Sequence, residues 1–258
     1  MKKTVFTKIT TAVMMLVLFV ALAVGLSVAA AAEVQAQAQW SADATSEPIG
    51  SGTLQEAFDA AAAENSTVGY IRVLSDIDLG DENVRALGGA FTLDLNGKTV
   101  TSTAYTVYLE NAVDIIITDT SSEKSGRLES TNSGCAAIVV DDDTALNITV
   151  EGGTVEGGAY AIMLSNSLHE STAATLTVSG GKLIAGSSVI KASGASVTVS
   201  GGEFESVQAN IDWVSGVVDL SAHPAPAGMT VCNYIDIDVV IPSENIKLPA
   251  GYGFYFYE

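Results

Sequence analysis

The chain has 258 residues and a formal charge of −19, from 30 acidic against 11 basic side chains. A surface this acidic repels nucleic acid and anionic membrane, which removes both as partners attracted by charge, and it favours solubility and divalent cations. With 48% hydrophobic residues the chain can bury one sizeable core, and its two cysteines are too few for a cysteine-based zinc site.

Lys2, Lys3 and Lys8 precede an uncharged stretch, residues 9–32, rich in Val, Leu, Met and Ala and ending in small residues. This is the pattern of a secretory signal peptide, expected over residues 1–38, with Ala32 and Ala38 both suitable as the last residue removed. The competing reading is a retained N-terminal anchor, because the run approaches the length of a membrane span. Membrane contact is then expected only through that segment, and either reading places the rest of the chain outside the cytoplasm. Residues 39–50 read as a linker.

A helix is expected over residues 52–64. Thr53 can cap it, Glu56 completes a capping box, and Leu54, Ala57, Phe58 and Ala61 fall on one face. From "YIRVLSDIDL" (70–79) onward the pattern changes to short alternating runs, including "FTLDLNGKTV" (91–100) with Asn96 and Gly97 at a corner.

A repeat then emerges. Aligning "SGRLES", "GGTVEG", "GGKLIA" and "GGEFES" on Gly126, Gly153, Gly181 and Gly202 gives steps of 27, 28 and 21 residues. A β-branched strand precedes each glycine: 115–119, 146–150, 175–179 and 196–200. An apolar residue stands two positions after it, Leu128, Val155, Leu183 or Phe204, so strand alternation resumes beyond the corner. A third strand starts eight residues after Gly153, Gly181 and Gly202, and its counterpart in the first copy is 136–140. Three strands per repeat, without a helix or a two-residue hairpin turn, argue against a leucine-rich repeat and a β-sandwich. They predict an all-β parallel β-helix over residues 51–214, a solenoid whose coils bury their apolar faces only by stacking, with the helix as its N-terminal cap.

Residues 215–258 hold four of the five prolines and the aromatic run Tyr252, Phe254, Tyr255, Phe256 and Tyr257. They read as a short strand-rich C-terminal cap. No wall-sorting motif or second membrane segment follows, so the chain is expected to be released or to be a fragment. Cys135 and Cys232 either form a disulfide or, given the apolar setting of Cys135, stay apart.

The signal-like N-terminus, "TLQEAFDAAAAENSTVGYIRVLSDIDL", "FTLDLNGKTV" and the "TVSGG" corners together resemble the secreted right-handed parallel β-helix proteins of the pectin-lyase-like superfamily, and more closely the extracellular β-helix proteins of Gram-positive gut bacteria. The resemblance covers residues 51–214. It implies a right-handed solenoid on the outside of the cell that serves as a stalk or as a contact surface for extracellular polysaccharide or host glycan. The superfamily also holds polysaccharide lyases and hydrolases, which makes a carbohydrate-active enzyme the alternative.

Residues able to carry chemistry are sparse. Arg72, Arg85 and Arg127 are the only arginines, and none sits in a catalytic signature. Asp141, Asp142 and Asp143 form the sharpest acidic cluster; they read first as a solvated turn and second as a Ca²⁺ candidate through oxygen ligands, the one cofactor entertained. "DIDLGD" (76–81) reads as a strand passing into a turn. His169 beside Glu170, and His223 before Pro224, read as loop and turn residues. Asn65 and Asn147 head glycosylation sequons that are discounted in a bacterial-looking chain. Tyr105, Tyr108, Tyr160 and Trp213 are spread along the sequence, and packing is the expected role for them ahead of a sugar-stacking platform.

Overall fold

Alternation decides the strands. In Val113–Thr118, Val113, Ile115 and Ile117 are buried while Asp114 is exposed and Ile116 and Thr118 are half-buried. The same one-face-in pattern recurs in Leu146–Val150 and Ala174–Val178. In the computed structural model, which describes residues 35–140, 145–164, 174–207, 209–223, 230–233, 245–248 and 253–256, these strands stack as a parallel β-solenoid. Three sheets of ten, six and eight strands form its sides, and the six-stranded one marks six complete three-sided coils.

Stacking is in register on every side. Phe91, Ile115, Ile148, Leu176, Val197, Val218 and Ile246 form one apolar column down the first sheet. Ile77, Val100, Leu128, Val155, Leu183 and Phe204 form another down the second. Val84, Val107, Ile138, Ile162, Ile190 and Ile211 make the third. Parallel strands about 4.8 Å apart put each of these side chains against its counterpart above and below, so stacked apolar residues, mostly Ile, Val and Leu, fill one continuous core.

The glycine corners fall between the first and second sheets. Gly153, Gly181 and Gly202 have φ of +77°, +76° and +90°, which side chains with a Cβ rarely adopt. Space forbids a side chain as well: a Cβ on Gly181 would lie 2.8 Å from the Gly153 carbonyl oxygen. The Gly126 copy is built differently. Residues 119–125 bulge there, and the Gly126 amide donates to the Asp119 carboxylate instead of following the later corners.

Two buried carboxylates hold the early corners. Asp94, fully buried, accepts from the Tyr70 hydroxyl (2.6 Å), Arg72 Nε (3.0 Å), the Thr120 hydroxyl (2.7 Å) and the amides of Asn96 and Thr120. Asp119 accepts from the amides of Gly97, Ser121 and Gly126. Burial by itself would raise both acidities' midpoints, but the hydrogen bonds outweigh it and hold both carboxyls below the usual range.

The N-terminal end is closed twice. The helix spans Leu54–Ala62, slightly inside the expected 52–64, with Thr53 and Glu56 forming the reciprocal capping box. Leu54, Ala57, Phe58 and Ala61 are buried, and the Phe58 ring meets Phe91 at 5.1 Å. Gln55 also reaches the edge strand Val84–Ala86: its Oε1 accepts from the Arg85 amide (2.9 Å) and its Nε2 donates to the Arg85 carbonyl (3.0 Å). A side-chain amide thus completes the pairing that an exposed sheet edge lacks. The stretch expected to be a linker differs from expectation. Ala38–Ser41 pairs antiparallel with both Gly50–Gly52 and Tyr70–Val73, so main-chain pairing draws this apolar-poor segment onto the edge of the first sheet. Beyond the last complete coil, Val217–Asp219, Thr230–Asn233, Ile246–Lys247 and Gly253–Phe256 continue the first and third sheets, giving the C-terminal region its strand-rich character.

Two outcomes follow from this architecture. Gly181→Val is expected to lower unfolding stability by about 2 kcal/mol or more, read as a lower urea midpoint at unchanged slope, whereas Ser200→Ala on the exposed face stays near wild type. Because Asp94 and Asp119 titrate lower in the folded chain than the roughly 3.9 of an unfolded one, their contribution is complete above about pH 5 and is lost as pH falls through the lowered native values. Urea unfolding at pH 7 and pH 3 is expected to show that loss, and Asp94→Asn, weaker at pH 7, is expected to lose less on acidification.

Candidate functional site

On the third sheet the outward positions line up as strictly as the inward ones. Arg85, Tyr108, Val139, Met163, Lys191 and Asp212 are consecutive register partners in six adjacent strands. Since strand residues alternate faces, a column beside the buried Val107, Ile138, Ile162 and Ile190 faces away from the core. Three tyrosines gather on it. Tyr105, Tyr108 and Tyr160, each half-buried, pack against Ala136, Val139 and Met163 in an apolar cluster separate from the main core.

Cations flank this strip. The Arg85 guanidinium lies 5.3 Å from the centroid of the Tyr108 ring and pairs with Glu110. The Tyr105 and Tyr108 rings are 6.1 Å apart and tilted by 59°. Toward the other end the Lys191 ammonium sits 5.6 Å from the centroid of Tyr160. Next on the ladder is Asp212, 4% exposed, whose Oδ2 lies 3.5 Å from the Tyr160 hydroxyl and whose Oδ1 has no hydrogen-bond partner. Burial pushes this carboxyl up, with Lys191 and the Tyr160 hydroxyl pulling the other way.

So three of the four aromatic residues that look scattered in sequence come together. Trp213 does not: it points inward, joins the core, and donates from Nε1 to the Gly216 carbonyl. Part of the column was available from spacing, because Met163, Lys191 and Asp212 each stand ten residues after an aligned glycine. Tyr108 and Val139 were hidden by the longer bulges of the earlier coils.

A second concavity runs along the glycine corners. It encloses about 420 Å³ between Asp119, Lys124, Glu151, Lys182 and Glu203, over the bare main chain of Gly152, Gly153 and Gly181. Its two cations are committed to the protein: Lys124 donates to the Asp119 carbonyl (2.6 Å) and Lys182 pairs with Glu205 (2.8 Å).

The other sequence candidates separate. Asp141, Asp142 and Asp143 lie outside the described residues, as do His169 and Glu170. Asp76 accepts from the Thr99 amide and Asp78 from the Gly80 amide, the strand-to-turn arrangement expected of "DIDLGD". His223 is buried, with Nε2 3.2 Å from the Gly202 carbonyl and its ring edge-on to Phe204. All three arginines are engaged, Arg72 with Asp94, Arg85 with Glu110, and Arg127 with Glu129 and Glu156. Asn147 is an exposed strand residue whose side chain bridges Asp114 and Thr175. Among the described residues no group of three or more His, Cys, Asp or Glu is placed to hold a metal ion, and no helix is long and apolar enough to cross a membrane.

Cys135 carries a free thiol. Its coil explains why the bridge to Cys232 is not formed. Cys135 immediately precedes Ala136–Val140, and Cys232 lies in a strand four ladder steps further along the same sheet. That is about 19 Å at the usual strand spacing, against the roughly 7 Å beyond which a disulfide cannot close.

No protein-family model matches the chain, and neither does any curated protein or solved structure. One chemical outcome follows directly: protein purified without reductant and unfolded in denaturant is expected to titrate both cysteines as free thiols with a chromogenic thiol reagent.

Proposed function

We propose that the protein is a non-catalytic extracellular carbohydrate-contact protein, in which a rigid solenoid displays the tyrosine strip of its third sheet. The observation that carries this reading is the convergence of Tyr105, Tyr108 and Tyr160 on one outward face, apart from the core. Tyrosine combines a flat apolar face with a hydroxyl at its rim, which suits the C–H faces and hydroxyl edges of a sugar ring. The Arg85 guanidinium and the Tyr105 ring hold Tyr108 in place, so little of its rotamer freedom remains to be lost on binding.

The scaffold supports the same reading. From the Arg85 strand to the Lys191 strand is four ladder steps, about 19 Å, so the strip is long enough for an oligosaccharide lying across the coils. Its backbone is locked by parallel pairing on both sides of every strand between. The lysine-flanked apolar N-terminal segment supports placement outside the cytoplasm.

The test is a saccharide panel followed by affinity measurement. Tyr105→Ala and Tyr108→Ala are each expected to weaken binding by about fivefold or more, as loss of a stacked ring implies, while Thr177→Ala on the first sheet leaves it unchanged. A panel with no retained saccharide, or full affinity in Tyr108→Ala, removes the proposal.

A further inference from the structure

One group on the strip is left unexplained by stacking. Three carboxylates are buried among the described residues: Asp94, Asp119 and Asp212. The first two have both oxygens engaged by donors of the protein. Asp212 has a long contact from the Tyr160 hydroxyl to Oδ2 and nothing on Oδ1. A buried acceptor without a donor is costly, and such an atom points to a partner that arrives from outside.

Its neighbour is poised in the opposite sense. Lys191 is half-exposed and in no ion pair among the described residues; its ammonium rests over the Tyr160 ring and not on the adjacent carboxylate. An unmatched acceptor and an unpaired donor thus stand side by side on one ladder step, beside an aromatic ring.

We infer that Tyr160, Lys191 and Asp212 form a subsite for a neutral saccharide that presents adjacent hydroxyls. A hydroxyl both donates and accepts. One hydroxyl donates to Asp212 Oδ1, its neighbour accepts from Lys191, and Tyr160 packs on the ring face. The Lys191 side chain swings from the Tyr160 ring to the ligand and opens the carboxylate to it. A uronate or a sulfated sugar fits poorly, because it brings acceptors and negative charge to a place already holding a carboxylate, on a chain of net charge −19. Since the carboxyl is pushed upward by burial, binding weakens on acidification as Asp212 takes up a proton and loses acceptor capacity.

This inference rests on the strip as the carbohydrate surface, and the experiment separates the two. Titration calorimetry of the full chain uses neutral galactan and cellulose oligosaccharides beside polygalacturonate oligosaccharides, with wild type, Asp212→Asn, Lys191→Met and Tyr108→Ala. We expect the neutral oligosaccharides to bind more tightly than the uronates, and Asp212→Asn and Lys191→Met each to weaken them about tenfold, the value of a hydrogen bond to a charged group. If Asp212→Asn does not fold, the half-exposed Lys191→Met decides. Loss of affinity in Tyr108→Ala with wild-type affinity in both subsite variants overturns the subsite and leaves the strip standing. Tighter binding of polygalacturonate also overturns the subsite, and binding of no oligosaccharide overturns both.

Discussion

Everything in this molecule depends on stacking in register. A single coil has three short strands, each contributing only a handful of buried residues, far too little apolar surface to offset the entropy of ordering its backbone. Held against two neighbours, residues such as Ile148 and Leu176 become fully enclosed, each contributing about 2–3 kcal/mol. The condition is that every coil repeat the same path, since a slip of one residue would turn an apolar side outward. The glycines at Gly153, Gly181 and Gly202 meet that condition. They let the chain bend sharply at one height in each coil and let successive main chains approach more closely than any side chain would permit.

The same condition creates the outward columns of the third sheet. Register that aligns isoleucines inside must align the outward residues too, so residues far apart in sequence form straight columns on each face. Arg85 and Asp212 are separated by more than a hundred residues yet belong to one line. A column of mixed character, two cations, a carboxylate and an apolar middle crowned by tyrosines, is consistent with a surface that reads a ligand laid along the axis.

Much of the fold was legible because its signals are local. Thr53 with Glu56 marks a helix start, β-branched alternation marks strands, and the glycine period marks coils. The hairpin of Ala38–Ser41 and Gly50–Gly52 was not legible, since the alternation of "AQWS" is only four residues long, "GSG" has no apolar side chain, and the two become strands by main-chain pairing with each other and, for Ala38–Ser41, with Tyr70–Val73. The tyrosine strip was half legible. A fixed ten-residue offset from the aligned glycines locates Met163, Lys191 and Asp212, but the longer turn over 131–135 breaks the count for Val139, and Tyr108 lies before the first aligned glycine. Tyr160 escapes for another reason: its place in the alternation matches inward-facing Ile162, yet at the first position of its strand it joins the outer cluster.

The Gln55 clasp on Arg85 bears on what the solenoid cannot become. A stack of identical parallel layers is a one-dimensional crystal, and its end faces are templates on which another chain could add without limit. By occupying the amide and carbonyl of Arg85 on the terminal strand of the third sheet with a side chain that has no further layer to offer, Gln55 acts as an impurity on one growth face. The helix seats that impurity, so the element that seals the core also blunts the edge of the third sheet against addition of another strand.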